Sequence, residues 1–121
     1  MSLRFVTRSV HAYLDYHVAL ALMGLPFVLG LGQSNPMALW LSVVTGLAAF
    51  VLTVLTDHHL GIWRGLPYKA HLAVDLLVGV VFLAAPSLFG FSGLDAIYYW
   101  LNGAAVVAVI SLSAPEQGVT A

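Results

Sequence analysis

No charged side chain stands between Asp15 and Asp57, between Asp75 and Asp95, or between Asp95 and Glu116. Uncharged runs of this length decide the class of fold. A helix needs about 20 apolar residues to cross roughly 30 Å of hydrocarbon. In lipid, only helices and closed barrels satisfy their backbone groups internally. These runs are too long and too uniformly apolar for barrel strands, which alternate. Hydrophobic residues make up 61% of the 121 positions and charged residues 7%, against about 25% charged in a soluble domain. Most of the exterior must therefore face lipid. We expect an all-α integral membrane four-helix bundle, with residues 1–121 as a single transmembrane domain.

Four spans are expected, at about 11–31, 37–56, 71–91 and 96–113. The breaks are "GQSNP", the segment from "DHH" to Lys69, and "SGLD". The opening "MSLRFVTRSV" looks like the basic region of a signal peptide. The segment after it carries His11, Asp15 and His17 and shows no small-x-small cleavage site, so it reads as a retained membrane helix. Arg4 and Arg8 precede the first span, and Arg64 and Lys69 lie between the second and third. The other two loops have no Lys or Arg. By the positive-inside rule, both termini and the central loop are expected in the cytoplasm and the chain in the plasma membrane. Trp40, Tyr98, Tyr99 and Trp100 then read as an outer aromatic belt, and Tyr13, Tyr16, Trp63 and Tyr68 as an inner one.

Shifted by sixty residues, the chain matches itself at its scarce residues. His11 meets His71, Asp15 meets Asp75, Pro26 meets Pro86, Gly30 meets Gly90 and Trp40 meets Trp100. The agreement fades beyond Leu41 and Leu101. This predicts two tandem two-helix repeats, at about 11–57 and 71–117, related by a pseudo-twofold axis along the membrane normal. Each Pro lies near the far end of its helix with a Gly four residues on, as expected for a kink or for a helix end before a tight turn.

The paired "GLPFVLG" and "AAPSLFG" segments sit where the SPW-repeat family of small bacterial membrane proteins carries its motif late in the first helix of each repeat. The chain resembles that family over about residues 11–113, with Leu25-Pro26-Phe27 and Ala85-Pro86-Ser87 in place of Ser-Pro-Trp. The resemblance implies two helices per repeat and a bacterial inner membrane location. It implies no catalytic residue.

The chemistry of the chain gathers at His11, Asp15, His71 and Asp75. Residues i and i+4 share a helix face, so each His faces its Asp. Ionisable groups at the edge of hydrocarbon are rare and usually face the bundle interior or a partner. One reading makes each Asp an electrostatic cap near its helix N-terminus. Another makes the four residues a metal site, possible ligands being joined by Asp57, His58 and His59. Imidazole and carboxylate suit Zn, Fe, Mn, Ni or Cu(II). Haem held between His11 and His71 is a further option, as is a His/Asp proton or ion pathway. Such a pathway would find few polar groups in the outer half: Ser42, Thr45, Ser87, Asp95 and Asn102. Asn102 is expected to bond between helices. No Ser is expected to reach the His–Asp residues, which argues against a Ser/His/Asp triad.

The net charge of −1 gives no argument for nucleic acid, and the absence of Cys excludes thiolate sites. The expected function is that of a non-enzymatic structural or accessory subunit in the bilayer, as a homo-oligomer or within a larger membrane complex. The alternative is a metal- or cofactor-binding protein acting in redox chemistry or in ion or proton transport.

Overall fold

Thr7 starts the first helix by accepting a hydrogen bond from the Val10 amide at 3.2 Å, the usual way a hydroxyl satisfies a free N–H at a helix start. The computed structural model describes residues 6–56 and 65–113, and within them four helices. These are α1 (Arg8–Val28), α2 (Met37–Leu55), α3 (Tyr68–Phe89) and α4 (Gly93–Leu112). Both odd helices begin three residues before the expected start, at Arg8 and Tyr68: Thr7 caps the first through its hydroxyl, and Pro67, extended and with no N–H to satisfy, precedes the second. Both run on through an internal proline. They stop a turn later, where Gly30 and Gly90 take left-handed φ values of 67° and 69°. The amides of Leu31 and Phe91 then turn back to the carbonyls of Pro26 and Pro86, both at 2.9 Å. Pro26 and Pro86 thus mark the last turn of each helix.

α1 packs on α2, and α3 on α4. Glycine makes this close approach possible. A Cβ on Gly46 would lie 2.8 Å from the Ala19 carbonyl oxygen, and one on Gly103 would lie 3.0 Å from that of Gly79. Ala19 and Gly79 are sixty residues apart, but Gly46 and Gly103 are fifty-seven apart. The helix ends agree with the second figure, since Thr56 and Ser113 follow α2 and α4 as C-caps. Short parallel bridges join Val6 to Ser113 and Leu66 to Thr56. The repeat therefore holds at sixty through the odd helices and changes to fifty-seven in the even ones, because the second turn is shorter. The match of Trp40 to Trp100 is a coincidence of spacing, and the fading beyond Leu41 is this change of register.

The two hairpins meet at both ends of the bundle. At the turn end, Asp95 accepts from the Gly32 amide (2.9 Å), the Ser34 amide (3.0 Å) and the Ser34 hydroxyl (2.5 Å). Asn35 donates in the opposite direction to the Phe89 carbonyl at 3.0 Å. Below this, Tyr99 donates to the Ala38 carbonyl at 2.6 Å. Ser42 spends its proton on the Leu22 carbonyl, so Tyr98 donates to Ser42 Oγ, also at 2.6 Å. Phe82, Ala85 and Phe91 complete this core.

Tyr98, Tyr99 and Tyr68 are consequently buried, which corrects their expected place in the aromatic belts. The Tyr98 and Tyr99 hydroxyls find partners on the other hairpin, as buried amphipathic side chains regularly do, and the Tyr68 ring meets His11 edge-on at 5.8 Å. Trp40, Trp100 and Tyr13 do lie on the exterior. Trp63 lies outside the described residues. Asn102 donates to the Tyr98 carbonyl of its own helix at 2.8 Å, not to a neighbouring helix.

α2, α3 and α4 are each long and apolar enough to cross a membrane. α1 is as long, with 21 residues, but His11, Asp15 and His17 lower its apolar character. The exterior is apolar on every helix, as Leu20, Val44, Leu77 and Leu101 illustrate. In water such a surface would be an association hazard. In lipid it is the expected one.

Replacing Asp95 by Ala would leave two part-buried N–H groups and a hydroxyl in the facing turn without their acceptor. We expect a loss of about 2 kcal/mol or more, read as a lower midpoint of unfolding in detergent than for the unmodified chain.

Candidate metal centre

His11 is the fourth residue of α1 and His71 the fourth of α3, so the pseudo-twofold axis brings them face to face. Their ring centroids are 5.8 Å apart and the ring planes are nearly perpendicular, at 86°. Each imidazole is 1% exposed. Asp15 and Asp75 lie one turn further along each helix and point into the same space. His11 Nε2 is 3.2 Å from Asp15 Oδ1 and 3.0 Å from Asp75 Oδ2. His71 Nε2 is 2.8 Å from Asp15 Oδ2 and 3.2 Å from Asp75 Oδ2. The i, i+4 contact expected within each helix is present, and the contact across to the other hairpin is shorter in both cases. The four residues form an alternating ring of imidazole and carboxylate.

Neither Asp acts as a helix cap. Each is the eighth residue of its helix, and the first turns of α1 and α3 hold no acidic residue. The influence of the helix dipole fades within the first turn, so what holds these carboxylates is the facing pair of imidazoles.

Two hydroxyls behind the ring were not foreseen. Ser113 Oγ lies 2.7 Å from His11 Nδ1, and Thr56 Oγ1 lies 2.5 Å from His71 Nδ1. This corrects the expectation that no Ser would reach the site, which compared depths without the parallel bridges that draw both C-caps inward. Ser113 donates its proton to the Val109 carbonyl and Thr56 to the Leu52 carbonyl, both at 2.6 Å. Each hydroxyl has only one proton to give. Each must therefore accept from its imidazole, so Nδ1 carries hydrogen in both rings. The line from Ser113 through His11 to Asp75 is not a nucleophile relay, because the Ser proton is committed elsewhere and the side chain is buried. It is an orienting chain that turns Nε2 toward the centre.

Asp15 Oδ2 is buried, and its neighbour is His71 Nε2, 2.8 Å away. Two largely buried carboxylates carry a desolvation penalty that the facing imidazoles, or a cation among them, would relieve. One ligand atom from each of His11, Asp15, His71 and Asp75 can be chosen so that all four lie within 4.8 Å of one another. The rings leave no slot for a haem plane, because Asp75 Oδ2 sits between the two Nε2 atoms and within reach of both.

Of the other candidate ligands, Asp57, His58 and His59 lie outside the described residues. His17 is exposed, and its Nδ1 donates to the Tyr13 carbonyl of its own helix at 2.8 Å, away from the centre.

Helices of this length and apolar character, paired as two equivalent hairpins, define a helical membrane protein built by duplication. The family model of the SPW repeat domain matches residues 9–114. The chain belongs to the SPW repeat family. Searches among curated proteins and among solved structures gave no match.

Proposed function

We propose that this protein binds one divalent transition metal ion between its two hairpins, through His11, Asp15, His71 and Asp75. Its place would be the plasma membrane, with all four helices spanning and both termini and the central loop on the cytoplasmic side. The observation that carries the reading is the ring itself: two imidazoles already aimed by hydroxyls, and two carboxylates facing them from both hairpins. A tetrahedral ion with ligand bonds of roughly 2.0–2.1 Å separates its ligand atoms by about 3.3 Å. The four N···O distances, from 2.8 to 3.2 Å counting either oxygen of Asp15, lie near that figure, and one ligand atom from each residue lies within 4.8 Å of the other three.

The donor set points to a metal of the zinc type. Nitrogen and carboxylate oxygen in a compact four-ligand shell suit zinc, and the chain has no cysteine. The hydroxyl on each Nδ1 is the outer partner that metal-bound imidazoles regularly have. The location and orientation rest on Arg4, Arg8, Arg64 and Lys69, all of which fall on one side of the four-span arrangement. These features favour a binding protein: among the described residues, the two hydroxyls beside the centre give their protons to backbone carbonyls.

Calorimetric titration of zinc into untagged, chelator-treated protein in mild detergent tests the reading. Uptake of about one ion per chain is expected; heats no larger than those of buffer would overturn it. Thr56→Val and Ser113→Ala should each weaken zinc binding by about 10–100-fold while leaving the number of sites unchanged. That result would separate orientation of the imidazoles from ligation.

A further inference from the structure

A cavity of about 440 Å³ lies between the hairpins and ends at the His/Asp ring. On α2 its wall runs from Val44 to Thr53, and on α4 from Asn102 to Ile110. At 1.5 Å per residue this is about 12–14 Å of length. Away from the ring, the lining is Val, Leu, Ile and Ala, interrupted by Thr45, Thr53 and Asn102. Thr53 spends its hydroxyl proton on the Ala49 carbonyl, and Asn102 donates to the Tyr98 carbonyl. Within each hairpin the helices touch backbone to side chain at Gly46 and Gly103, so the cavity opens between the hairpins and not within one. Val44 and Val74, both on its wall, are 62% and 41% exposed.

Size and polarity select the occupant. The wall is about 12–14 Å long, less than half of the roughly 30 Å over which a spanning helix of a second copy would pack. Water would have to fill a mostly apolar chamber, and apolar cavities stay dry. A single hydrocarbon chain fits both the length of the cavity and its apolar wall. Of the two sources such a chain has in a bilayer, a free fatty acid and one tail of a phospholipid, each offers the same chemistry to the wall.

We propose that the cavity is a binding site for one hydrocarbon chain of a membrane amphiphile, entering between the hairpins and ending beside the His/Asp ring. This goes beyond the metal reading and does not depend on it, because the apolar wall is present whether or not an ion fills the ring.

The test uses the full chain in vesicles of phosphatidylethanolamine and phosphatidylglycerol. Two probes are compared: a palmitic acid with a diazirine on its chain, and a phosphatidylglycerol with the same group on one tail. After photolysis, adducts are mapped by mass spectrometry, with and without excess unlabelled competitor. The site predicts saturable, competable labelling at Ala49, Val106 and Val109, against unsaturable labelling at the outward Leu20 and Leu101. The probe that gives the saturable signal identifies the source. Ala48→Phe and Ala105→Phe, made separately, should each abolish the inner adducts and spare those at Leu101. If one variant fails to fold, saturability in the unmodified chain still decides. Inner labelling that is absent, or no more competable than at Leu101, overturns the proposal. Running both arms on chelator-treated and zinc-loaded protein keeps this outcome separate from that of the metal assay.

Discussion

Replacing Asp15 and Asp75 together by Asn is expected to reduce bound metal from about one ion per chain to none. Asn keeps the shape and a hydrogen-bonding oxygen, so the ring can close through amide-to-imidazole contacts. It removes both negative charges that would neutralise a divalent ion at this depth. Two neutral imidazoles alone leave the ion half coordinated, without a charge partner. Each single replacement should weaken binding severely, and the effects should not add, because the two carboxylates share the same imidazoles. His17→Ala is the internal control. His17 is exposed and bonded within its own helix, so its loss should leave the stoichiometry untouched. Elemental analysis of the purified variants provides the readout, with helical content and melting midpoint confirming that each is folded.

Gly46→Val and Gly103→Val should be the most disruptive substitutions within the hairpins. At Gly46 even a single added carbon meets the Ala19 carbonyl oxygen at 2.8 Å and the Leu22 Cβ at 2.9 Å. At Gly103 it meets the Gly79 carbonyl oxygen and the Leu83 amide nitrogen, both at 3.0 Å. These are backbone or near-backbone atoms, so the clash cannot be relieved by a side-chain rotation, and the helices must part. Overpacking of this kind costs about 1–3 kcal/mol in an ordinary core, and a rigid backbone contact belongs at the upper end. Parting either hairpin also withdraws a C-cap hydroxyl from the imidazole it orients, so metal affinity should fall along with stability. Gly24 provides the contrast, since a Cβ there has no atom within 4 Å. Gly24→Ala should be neutral or stabilise by up to about 1 kcal/mol through helix propensity. Unfolding in detergent, followed by helical signal, compares the three; equal midpoints would show that the hairpins do not depend on these close approaches.

The helical class, the four elements and the four residues of the ring were all legible in the chain, for one physical reason. In a sequence so poor in charge, every His and Asp is costly, and a costly residue placed twice at the same spacing marks a structural equivalence. Leu and Val carry no such information here. Thr56 and Ser113 escaped notice because a hydroxyl costs little to place and because the sixty-residue shift pairs Ser113 with Thr53. Only the glycine contacts reveal that the even helices repeat at fifty-seven, which makes Thr56 and Ser113 equivalent. Depth alone places Tyr98 and Tyr99 in an aromatic belt. Their burial depends on which face meets the other hairpin, and that is set by the Asp95 contacts across sixty-odd residues. The same limit explains Asn102, whose amide turned out to have a carbonyl within its own helix in easy reach.

The most direct test of the central claim is X-ray absorption at the metal edge of untagged protein purified in mild detergent and loaded with zinc. The account predicts a shell of nitrogen and oxygen at roughly 2.0–2.1 Å, with the outer-shell scattering of two imidazoles, lost in the Asp15→Asn, Asp75→Asn variant. A zinc-free sample after loading, or a six-oxygen shell without imidazole scattering, would contradict it. Either result would leave the ring as an ion-paired clasp that joins two hairpins without a metal.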